Sequence, residues 1–267
     1  MQDELSIACE AVRGILLEFI SGFFAQAGCE RAVIGLSGGL DSAVTALLTA
    51  QALGEGRLTC ALMPCGELRA DTRADAEEIV ALAGAEQVVV DIAPQLDVYF
   101  RRFPGADRVR RGNKMARERM SILYDQSSAL AALVVGTSNR TEWLLGYFTL
   151  WGDMGAALSP LAGLYKTQVR QLAHHLGVPQ RIIDKPPTAD LWRGQTDEAE
   201  LGVTYDQADR ILYRLLDLEL SAHQVVAEGF SQTSVNRVLE LMRGSEFKRR
   251  LPVTPDLGQA APQDDFI

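Results

Sequence analysis

The sequence of 267 residues contains few of the residues that cross-link or metallate small folds, with only four cysteines and three histidines. The cysteines, at positions 9, 29, 60 and 65, form no CxxC pair. Disulfide frameworks need several paired cysteines, and structural zinc sites need clustered cysteines and histidines. The sequence therefore predicts neither kind of site, and we expect buried free thiols.

Long apolar runs and a basic surplus are also missing. No stretch approaches the roughly 18 apolar residues of a membrane span, and the N-terminal MQDELSIACEAVRG lacks the basic start and apolar segment of a signal peptide. The formal net charge of −9 is the opposite of the surplus typical of nucleic-acid binders. We therefore expect a cytoplasmic protein that binds neither membranes nor nucleic acid.

The chain has the size and composition of one folding unit, with 47% hydrophobic residues over 267 positions. It shows no internal repeat and no obvious interdomain linker, and the residues beyond Pro255 are polar. These features predict a single domain over residues 1–255, followed by a flexible tail over residues 256–267.

One segment departs from the acidic average. Residues 101–119, RRFPGADRVRRGNKMARER, contain eight basic and two acidic residues, a local net charge of +6. Such a cluster favours an anionic ligand, but a solvated helix face or a mobile loop accounts for the same charges. On the charge pattern alone, these interpretations stay open.

Hydrophobic periodicity predicts an α/β fold. Apolar residues follow helical spacing over residues 3–27. Predicted strands at 32–36, 57–63, 88–92 and 133–137 then alternate with helical segments, including those from Ser42 and Arg73. Helical spacing returns over 166–176, 205–219 and 231–243. The alternation predicts a doubly wound parallel sheet with additional helices.

The most informative segment is AVIGLSGGLDS, residues 32–42, in which an apolar strand leads through a glycine-rich turn into a helix. Glycines let backbone amides approach an anion, and the helix N-terminus adds unpaired donors and partial positive charge. Asp41 would repel a phosphate unless a divalent cation lay between them, which points to magnesium. The simpler alternative is an ordinary turn with a serine or aspartate cap.

The SGGxDS string resembles the signature of the N-type ATP pyrophosphatases, whose loop holds the pyrophosphate released from ATP. The resemblance implies a Rossmann-like fold of the adenine nucleotide alpha hydrolase type, ATP as co-substrate, and transfer of AMP to a carboxylate or carbonyl. The residues that it assigns to ATP in this loop are Gly35, Leu36, Ser37, Gly38, Gly39, Leu40, Asp41 and Ser42. NAD, GMP and asparagine synthetases all carry such loops, so the loop does not identify the substrate.

Four later segments resemble motifs of the ammonia-dependent NAD synthetases and extend the resemblance from about residue 31 to about residue 256. They are GNKMARERM (112–120), GTSNRTE (136–142), GYFTLWGDMGAALSPL (146–161) continued by LYKT (164–167), and KPPTADLW (185–192) followed by GQTDE (194–198). Taken singly, the second could be a capped helix start, the third a Gly-Asp turn and the fourth a connector.

The resemblance implies roles for individual residues. It assigns deamido-NAD to Arg117, ATP to Thr137, Lys166 and Thr188, magnesium to Asp41 and Glu142, and ammonia to Asp153. Asp153 and Lys166 are the residues expected to act in catalysis, since a carboxylate can take a proton from the amine and an ammonium can neutralise the triphosphate.

Three positions depart from the family pattern. Leu150 stands where a lysine is common, Ala157 where a second aspartate is common, and Phe247 precedes Lys248 where a His-Lys pair is common. The family places these positions against the substrate, and we keep them among the expected substrate-binding residues. The departures indicate either a rearranged pocket or an altered substrate.

The implied reaction joins ammonia to the nicotinate carboxylate of deamido-NAD after that carboxylate has attacked the α-phosphorus of ATP. Pyrophosphate leaves in the first step and AMP in the second. The chain is too short for an attached glutaminase domain, so free ammonia is the expected donor, and the family also implies a homodimer. Two alternatives stay open: another amidoligase of GMP-synthetase type, and a non-catalytic nucleotide-binding module.

Overall fold

The computed structural model describes residues 4–66, 70–192, 194–250, 252 and 255. A four-stranded parallel sheet lies at its centre, formed by β1 (Arg31–Gly35), β2 (Leu58–Leu62), β3 (Glu86–Val89) and β4 (Ala132–Val134) in the order β3-β2-β1-β4. β1 therefore has β2 and β3 on one side and β4 on the other. In open parallel sheets, ligands bind beyond the carboxyl ends of the strands at such a reversal of strand order.

Twelve α-helices occur in the described part of the chain. They are α1 (Cys9–Gln26), α2 (Leu40–Leu53), α3 (Ala70–Ala83), α4 (Ala93–Phe100), α5 (Arg108–Leu130), α6 (Arg140–Leu145), α7 (Lys166–His175), α8 (Gln180–Ile183), α9 (Asp197–Leu201), α10 (Tyr205–Leu216), α11 (Ala222–Ala227) and α12 (Gln232–Gly244). Two short 3₁₀ helices span Pro160–Gly163 and Glu246–Arg249.

Helices cover both faces of the sheet, which confirms the predicted doubly wound α/β class. Successive residues of a strand point to opposite faces, and β1 shows this directly. Ile34 packs in a core with helices α1, α2, α3 and α7, whereas Val33 packs in a second core with Phe100 of α4 and Met115 of α5. Because both of their faces are covered, β2 is buried at all five positions and β1 at its three central ones, without alternation. β3, at the edge of the sheet, begins with Glu86 and Gln87 and is largely exposed.

A third apolar cluster lies beside the sheet and joins the C-terminal helices to α6. It contains Ile211 of α10, Val238 of α12 and Leu145 of α6, all buried. Leu5, which precedes α1, is also buried in this cluster. The N-terminal segment therefore connects the C-terminal helices to the main core.

The predicted elements are confirmed with shifted ends. The first helix begins at Cys9, not at residue 3, and Ile15 and Phe19 of its apolar stripe are exposed at 65% and 47%. The third strand ends at Val89, because the carboxylate of Asp91 accepts the amides of Gly66 and Ala93 and turns the chain into α4. The fourth ends at Val134, beyond which only an isolated bridge forms.

The cysteines are free, as expected, but three of them are not buried. Only Cys60, in the centre of β2, has no access to solvent, and burial raises the pKa of its thiol to about 12. Cys65 is exposed, and Cys9 and Cys29 are half-buried. None of the described helices is long and apolar enough to cross a membrane, and the predicted tail over 256–267 lies outside the described residues.

The basic segment is exposed at residues 101–105 and 107–111, whereas Gly112, Met115 and Ala116 further along it are buried. From Arg108 onward its residues belong to α5, and the guanidinium groups of Arg110 and Arg111 lie over the rings of Phe103 and Phe100 at 4.6 and 4.5 Å. Such contacts pair a cation with the electron-rich face of a ring. The exposed arginines fit the solvated-helix interpretation of the charge run, but Arg108 and Arg119 also line a large cavity, so an anionic ligand stays open as well.

Candidate active site

The glycine-rich turn between β1 and α2 is held in shape by its own serines. The Ser37 hydroxyl accepts the Gly39 amide at 3.2 Å, and the Ser42 hydroxyl accepts the Ser37 amide at 3.3 Å and donates to the Gly39 carbonyl at 3.0 Å. Gly38 has φ +74°, and a Cβ there would meet Thr72 at 3.0 Å. A glycine is therefore required at position 38.

Beyond this turn, two carboxylates surround one buried ammonium. Lys166, at the start of α7, forms ion pairs with Asp41 at the start of α2 and with Glu142 in the first turn of α6, the latter at 3.6 Å. The Lys166 side chain is only 5% exposed. Burial alone would lower the pKa of Lys166, but the two carboxylates raise it above its usual value.

Asn139 links the two carboxylates. Its side-chain amide donates to Asp41 Oδ1 at 3.2 Å, and its side-chain oxygen accepts the Glu142 amide at 3.0 Å. Glu142 returns a bond to the Asn139 amide, which completes a capping box at the start of α6. The capped helix start and the functional interpretation of this motif therefore describe the same residues.

Further polar groups surround Glu142. The Tyr205 hydroxyl lies 3.5 Å from Glu142 Oε1 and 3.1 Å from Asp197 Oδ2, and the Tyr147 hydroxyl donates to Asp197 Oδ1 at 3.1 Å. Burial, reinforced by the negative charge of Asp41, raises the pKa of the Glu142 carboxyl well above its usual range. The cluster thus concentrates negative charge around a single cation, an arrangement suited to binding a second cation.

Asp153 lies apart from this cluster. The residue is exposed, and its carboxylate accepts the Thr149 amide at 2.8 Å. Protein surrounds the group, and this desolvation raises the pKa of the Asp153 carboxyl, although the positive charges of Lys248 and Arg119 lower it in part. A carboxylate whose pKa is moved toward neutrality is better matched to proton transfer than an ordinary aspartate.

One cavity of about 1450 Å³ contains both groups. Ligand sites commonly occupy about 300–1,000 Å³, so this cavity has room for two large substrates. It is lined by the phosphate loop from Gly35 to Ser42, by the Asp41, Glu142 and Lys166 cluster, and by Asp153. The loop and the cluster lie beyond the carboxyl ends of β1 and β4, where strand order reverses.

The model of the family described as NAD synthase matches residues 14–252 of this sequence. The chain belongs to the NAD synthase family. The match covers the phosphate loop and all four later motifs, and it confirms the resemblance on which the predictions rested. This protein is therefore an enzyme of the NAD synthase family.

Relatives of known name agree with this assignment. The "NH(3)-dependent NAD(+) synthetase" of Trichlorobacter lovleyi is 46% identical, with 98% of this chain and 96% of that protein aligned. Two solved structures cover 94% of this chain and 100% of their own: the NMN synthetase of Francisella tularensis, 33% identical with a TM-score of 0.84, and the NH3-dependent NAD synthetase of Campylobacter jejuni, 28% identical with a TM-score of 0.81.

Most of the predicted site residues of the enzyme line the cavity. Beyond the phosphate loop, these are Thr137, Glu142, Asp153, Lys166, Thr188 and Lys248. Lys248 donates to the carbonyls of Gly146 and Phe148 at 2.8 and 2.9 Å, so its position beside the substrate loop is fixed. The resemblance to the NAD synthetases had grouped these residues, and the fold places them around one space.

Four predicted substrate residues do not line this cavity in the single chain. Arg117 is exposed and donates to the carbonyl of Leu150 at 3.2 Å, so these two residues contact each other. Ala157 is exposed, and Phe247 is 63% exposed. Their assignment to the substrate stays a prediction.

Several residues of the site were missed by sequence reasoning. Asn139 stood inside the GTSNRTE motif, where its capping role concealed its contact with Asp41. Arg119 is the second arginine of GNKMARERM and lines the cavity, whereas Arg117 does not. Asp197, within GQTDE, also lines it. Each of these residues lies within a motif, but a motif does not specify the direction in which its side chains point.

Proposed function

We infer that this enzyme catalyses the ATP-dependent amidation of deamido-NAD with ammonia, with release of AMP and pyrophosphate. One observation carries the inference: in a chain of the NAD synthase family, a single cavity joins the phosphate loop and the Asp41, Glu142 and Lys166 cluster to the carboxylate of Asp153. Groups suited to activating ATP and to handling an amine therefore face the same space. The names of the Trichlorobacter and Campylobacter proteins support ammonia as the nitrogen donor.

We assign magnesium to Asp41 and Glu142. Both carboxylates already contact a cation, the ammonium of Lys166. Among the described residues, no group of three or more histidine, cysteine, aspartate or glutamate side chains could hold a metal alone. Mg²⁺ is usually bound by one or two carboxylates together with water and substrate phosphates, so this pair fits it. When bound there, it would neutralise charge on the triphosphate.

The chain's own residues would position and neutralise ATP. The amides of residues 37–42, at the positive end of α2, would hold the phosphates that leave as pyrophosphate. Lys166 would turn from the two carboxylates toward the triphosphate and stabilise the charge that develops as the α-phosphorus is attacked. Holding both substrates in one cavity would make the attack effectively unimolecular.

Asp153 would act in the second half of the reaction. Its carboxylate can accept a proton from ammonium, which frees the nucleophile, or from the amine after it has attacked the acyl-adenylate. Lys248 and Arg119 contribute positive charge near this carboxylate. We place the nicotinate end of the substrate at this part of the cavity.

An assay with purified chain tests the proposed function. We expect rapid pyrophosphate release and formation of NAD when ATP, Mg²⁺, ammonium and deamido-NAD are all present, and little ATP turnover when ammonium or deamido-NAD is omitted. Glutamine in place of ammonium tests the nitrogen donor, and xanthosine monophosphate tests the GMP-synthetase-like alternative. The likeness to an NMN synthetase makes nicotinate mononucleotide the competing acceptor. Absence of amidated deamido-NAD would refute the proposed substrate.

Replacing Asp153 by asparagine is expected to separate activity from stability. Asparagine can still accept the Thr149 amide but cannot take a proton, so turnover should fall by about 100-fold or more. The wild-type carboxyl has a raised pKa in the folded state, which therefore holds more protons than the unfolded state. Below the unfolded pKa of about 3.9 the carboxyl is protonated in both states, and its ionisation costs the folded state no stability. As the pH rises from there through the folded pKa, the folded protein loses stability because it must hold the charge.

The asparagine variant should consequently be at least as stable as wild type at neutral pH, and this advantage should vanish in acid. Unfolding curves at several pH values, together with the amidation rate at neutral pH, check the prediction. An active variant, or one destabilised at neutral pH, would contradict the assignment of Asp153 as a desolvated base.

We further propose a homodimer in the cytoplasm. The exposed apolar side chains of Ile15 and Phe19 on α1 are of the kind that subunit contacts cover. Sedimentation of the purified chain measures its oligomeric state, and replacing both residues by serine should weaken a dimer formed through α1.

A further inference from the structure

Asp209, in the middle of α10, lies outside every motif and does not line the cavity. Its side chain is completely buried. Burial raises the pKa of its carboxyl to about 6, despite hydrogen bonds from Thr141 and Thr167 that lower it. A carboxylate in such a position costs stability unless strong hydrogen bonds satisfy it. Its presence in an otherwise apolar cluster therefore needs an explanation.

The two oxygens of Asp209 connect the beginnings of two other helices. Oδ1 accepts the hydroxyl of Thr141, in the first turn of α6, at 2.5 Å. Oδ2 accepts the amide of Thr167, in the first turn of α7, at 2.8 Å. The Thr141 hydroxyl also accepts the amide of Lys166 at 3.0 Å. Two helix starts with unpaired amides are thus fixed to one carboxylate.

The residues next to these contacts form the site. Glu142 follows Thr141, and Lys166 precedes Thr167. Both side chains meet in the ion-paired cluster with Asp41, at the start of α2, a helix that packs in the main core. A shift of either helix start would move one member of the cluster away from the others. Displacements of about 1 Å can cost about 100-fold in rate.

We propose that Asp209 is a positioning residue, which acts through Thr141 and Thr167 to hold Glu142 and Lys166 at the spacing required for ATP. The proposal rests on the proposed function wherever kcat is measured. The measurement of Mg-ATP binding does not require the second substrate. It assigns the C-terminal helices a part in catalysis, although Asp209 itself does not contact the reacting groups.

Thr141 offers a matched pair of variants. Thr141→Val keeps the shape of the side chain but removes the hydroxyl, whereas Thr141→Ser keeps the hydroxyl. We expect Thr141→Val to lower kcat by about 100-fold and to weaken the binding of Mg-ATP measured by calorimetry. Thr141→Ser should restore both to within about threefold, the range of modest context effects. Asp209→Asn should behave like Thr141→Val, because it leaves only one acceptor oxygen.

Asp217 supplies the control. It ties the same two segments together from the outer side, through Arg140 at 2.9 Å and the Tyr165 hydroxyl at 2.6 Å. Asp217→Asn therefore weakens a comparable clamp on the outer side, at Arg140 and Tyr165, but leaves the bonds of Asp209 to Thr141 and Thr167 in place. We expect it to change the melting temperature but to leave kcat and Mg-ATP binding within about threefold of wild type.

All assays are made well below the melting temperature of each variant, so that loss of folded protein does not mimic loss of rate. The proposal is overturned if Thr141→Val and Asp209→Asn keep wild-type kcat and Mg-ATP affinity, or if their losses only follow the unfolded fraction. It is also overturned if Thr141→Ser fails as badly as Thr141→Val. Mg-ATP binding without any amidation by the wild type would refute the proposed function and leave the binding test of Asp209 intact.

Discussion

Replacing Asp41 by asparagine is expected to lower kcat/KM for ATP by about 1,000-fold or more, the scale at which single electrostatic groups act in active sites. Asparagine has nearly the same shape but lacks the charge that would hold a divalent cation against the triphosphate. It would also leave Lys166 with Glu142 as its nearest carboxylate partner. The initial rate of pyrophosphate release over a range of Mg²⁺ concentrations measures the loss.

Asp71 provides a matched control for this substitution. It occupies the first turn of α3, as Asp41 occupies the first turn of α2, but it does not line the cavity. Asp71→Asn should therefore reproduce any general loss of helix-dipole stabilisation, about 0.3–1 kcal/mol, while turnover stays near that of wild type. If Asp41→Asn remains active, or if both variants lose activity equally, the assignment of Asp41 to the metal is wrong.

The same pair of variants tests whether the chain is merely a nucleotide-binding module. Such a module needs no transition-state stabilisation, so Asp41→Asn could leave its ATP binding largely unchanged. An enzyme should instead lose turnover by a far larger factor than it loses ATP affinity. Measuring both quantities on one preparation separates the two cases.

Replacing Lys166 by methionine is expected to lower turnover by about 1,000-fold and to reduce the free energy of unfolding by about 3–5 kcal/mol when no divalent cation is present. Methionine keeps most of the length of the side chain but removes its charge. Asp41 and Glu142 would then face each other as buried carboxylates without the cation that lies between them in the folded chain.

Magnesium should restore part of that lost stability, because it would take the place of the missing ammonium. In the wild type the ion must compete with Lys166, so its stabilising effect should be smaller. Urea unfolding with and without MgCl₂ measures both effects. Lys185→Met is the control, since Lys185 contacts Asp75 and the Gly38 carbonyl at the edge of the same cavity but not the two carboxylates. An equal effect of magnesium on all three proteins would contradict the shared site.

The phosphate loop could be predicted from sequence because its whole design lies within a few neighbouring residues. The strand, the glycines, Asp41 and Ser42 occur in one run of eleven residues, 32–42, so their relative positions follow from the local chain alone. The Asn139 and Glu142 capping box is local in the same way. Hydrophobic periodicity likewise predicted the parallel sheet, because strands buried on both faces must be apolar throughout.

The rest of the site depends on contacts between residues far apart in the chain. Asn139 and Asp41 are 98 residues apart, and no spacing rule indicates that their side chains meet. Asp209 lies within a helix whose apolar pattern accounts for its neighbours but not for its carboxylate. A motif also does not specify which side chain faces inward, and for this reason Arg119 lines the cavity while Arg117 contacts Leu150 outside it.

The pairing of β1 with one early and one late strand has a consequence for synthesis on the ribosome. β1 can join β2 once Leu58 has emerged, but its other edge stays open until Leu133 does, which at about 5–20 residues per second takes roughly 4–15 s more. During that interval the nascent chain has its phosphate loop but neither Asn139 nor Glu142, so Mg-ATP cannot assist the early stages of folding. An unpaired edge next to a buried strand is also open to intermolecular pairing. Chaperone capture at this stage would protect it.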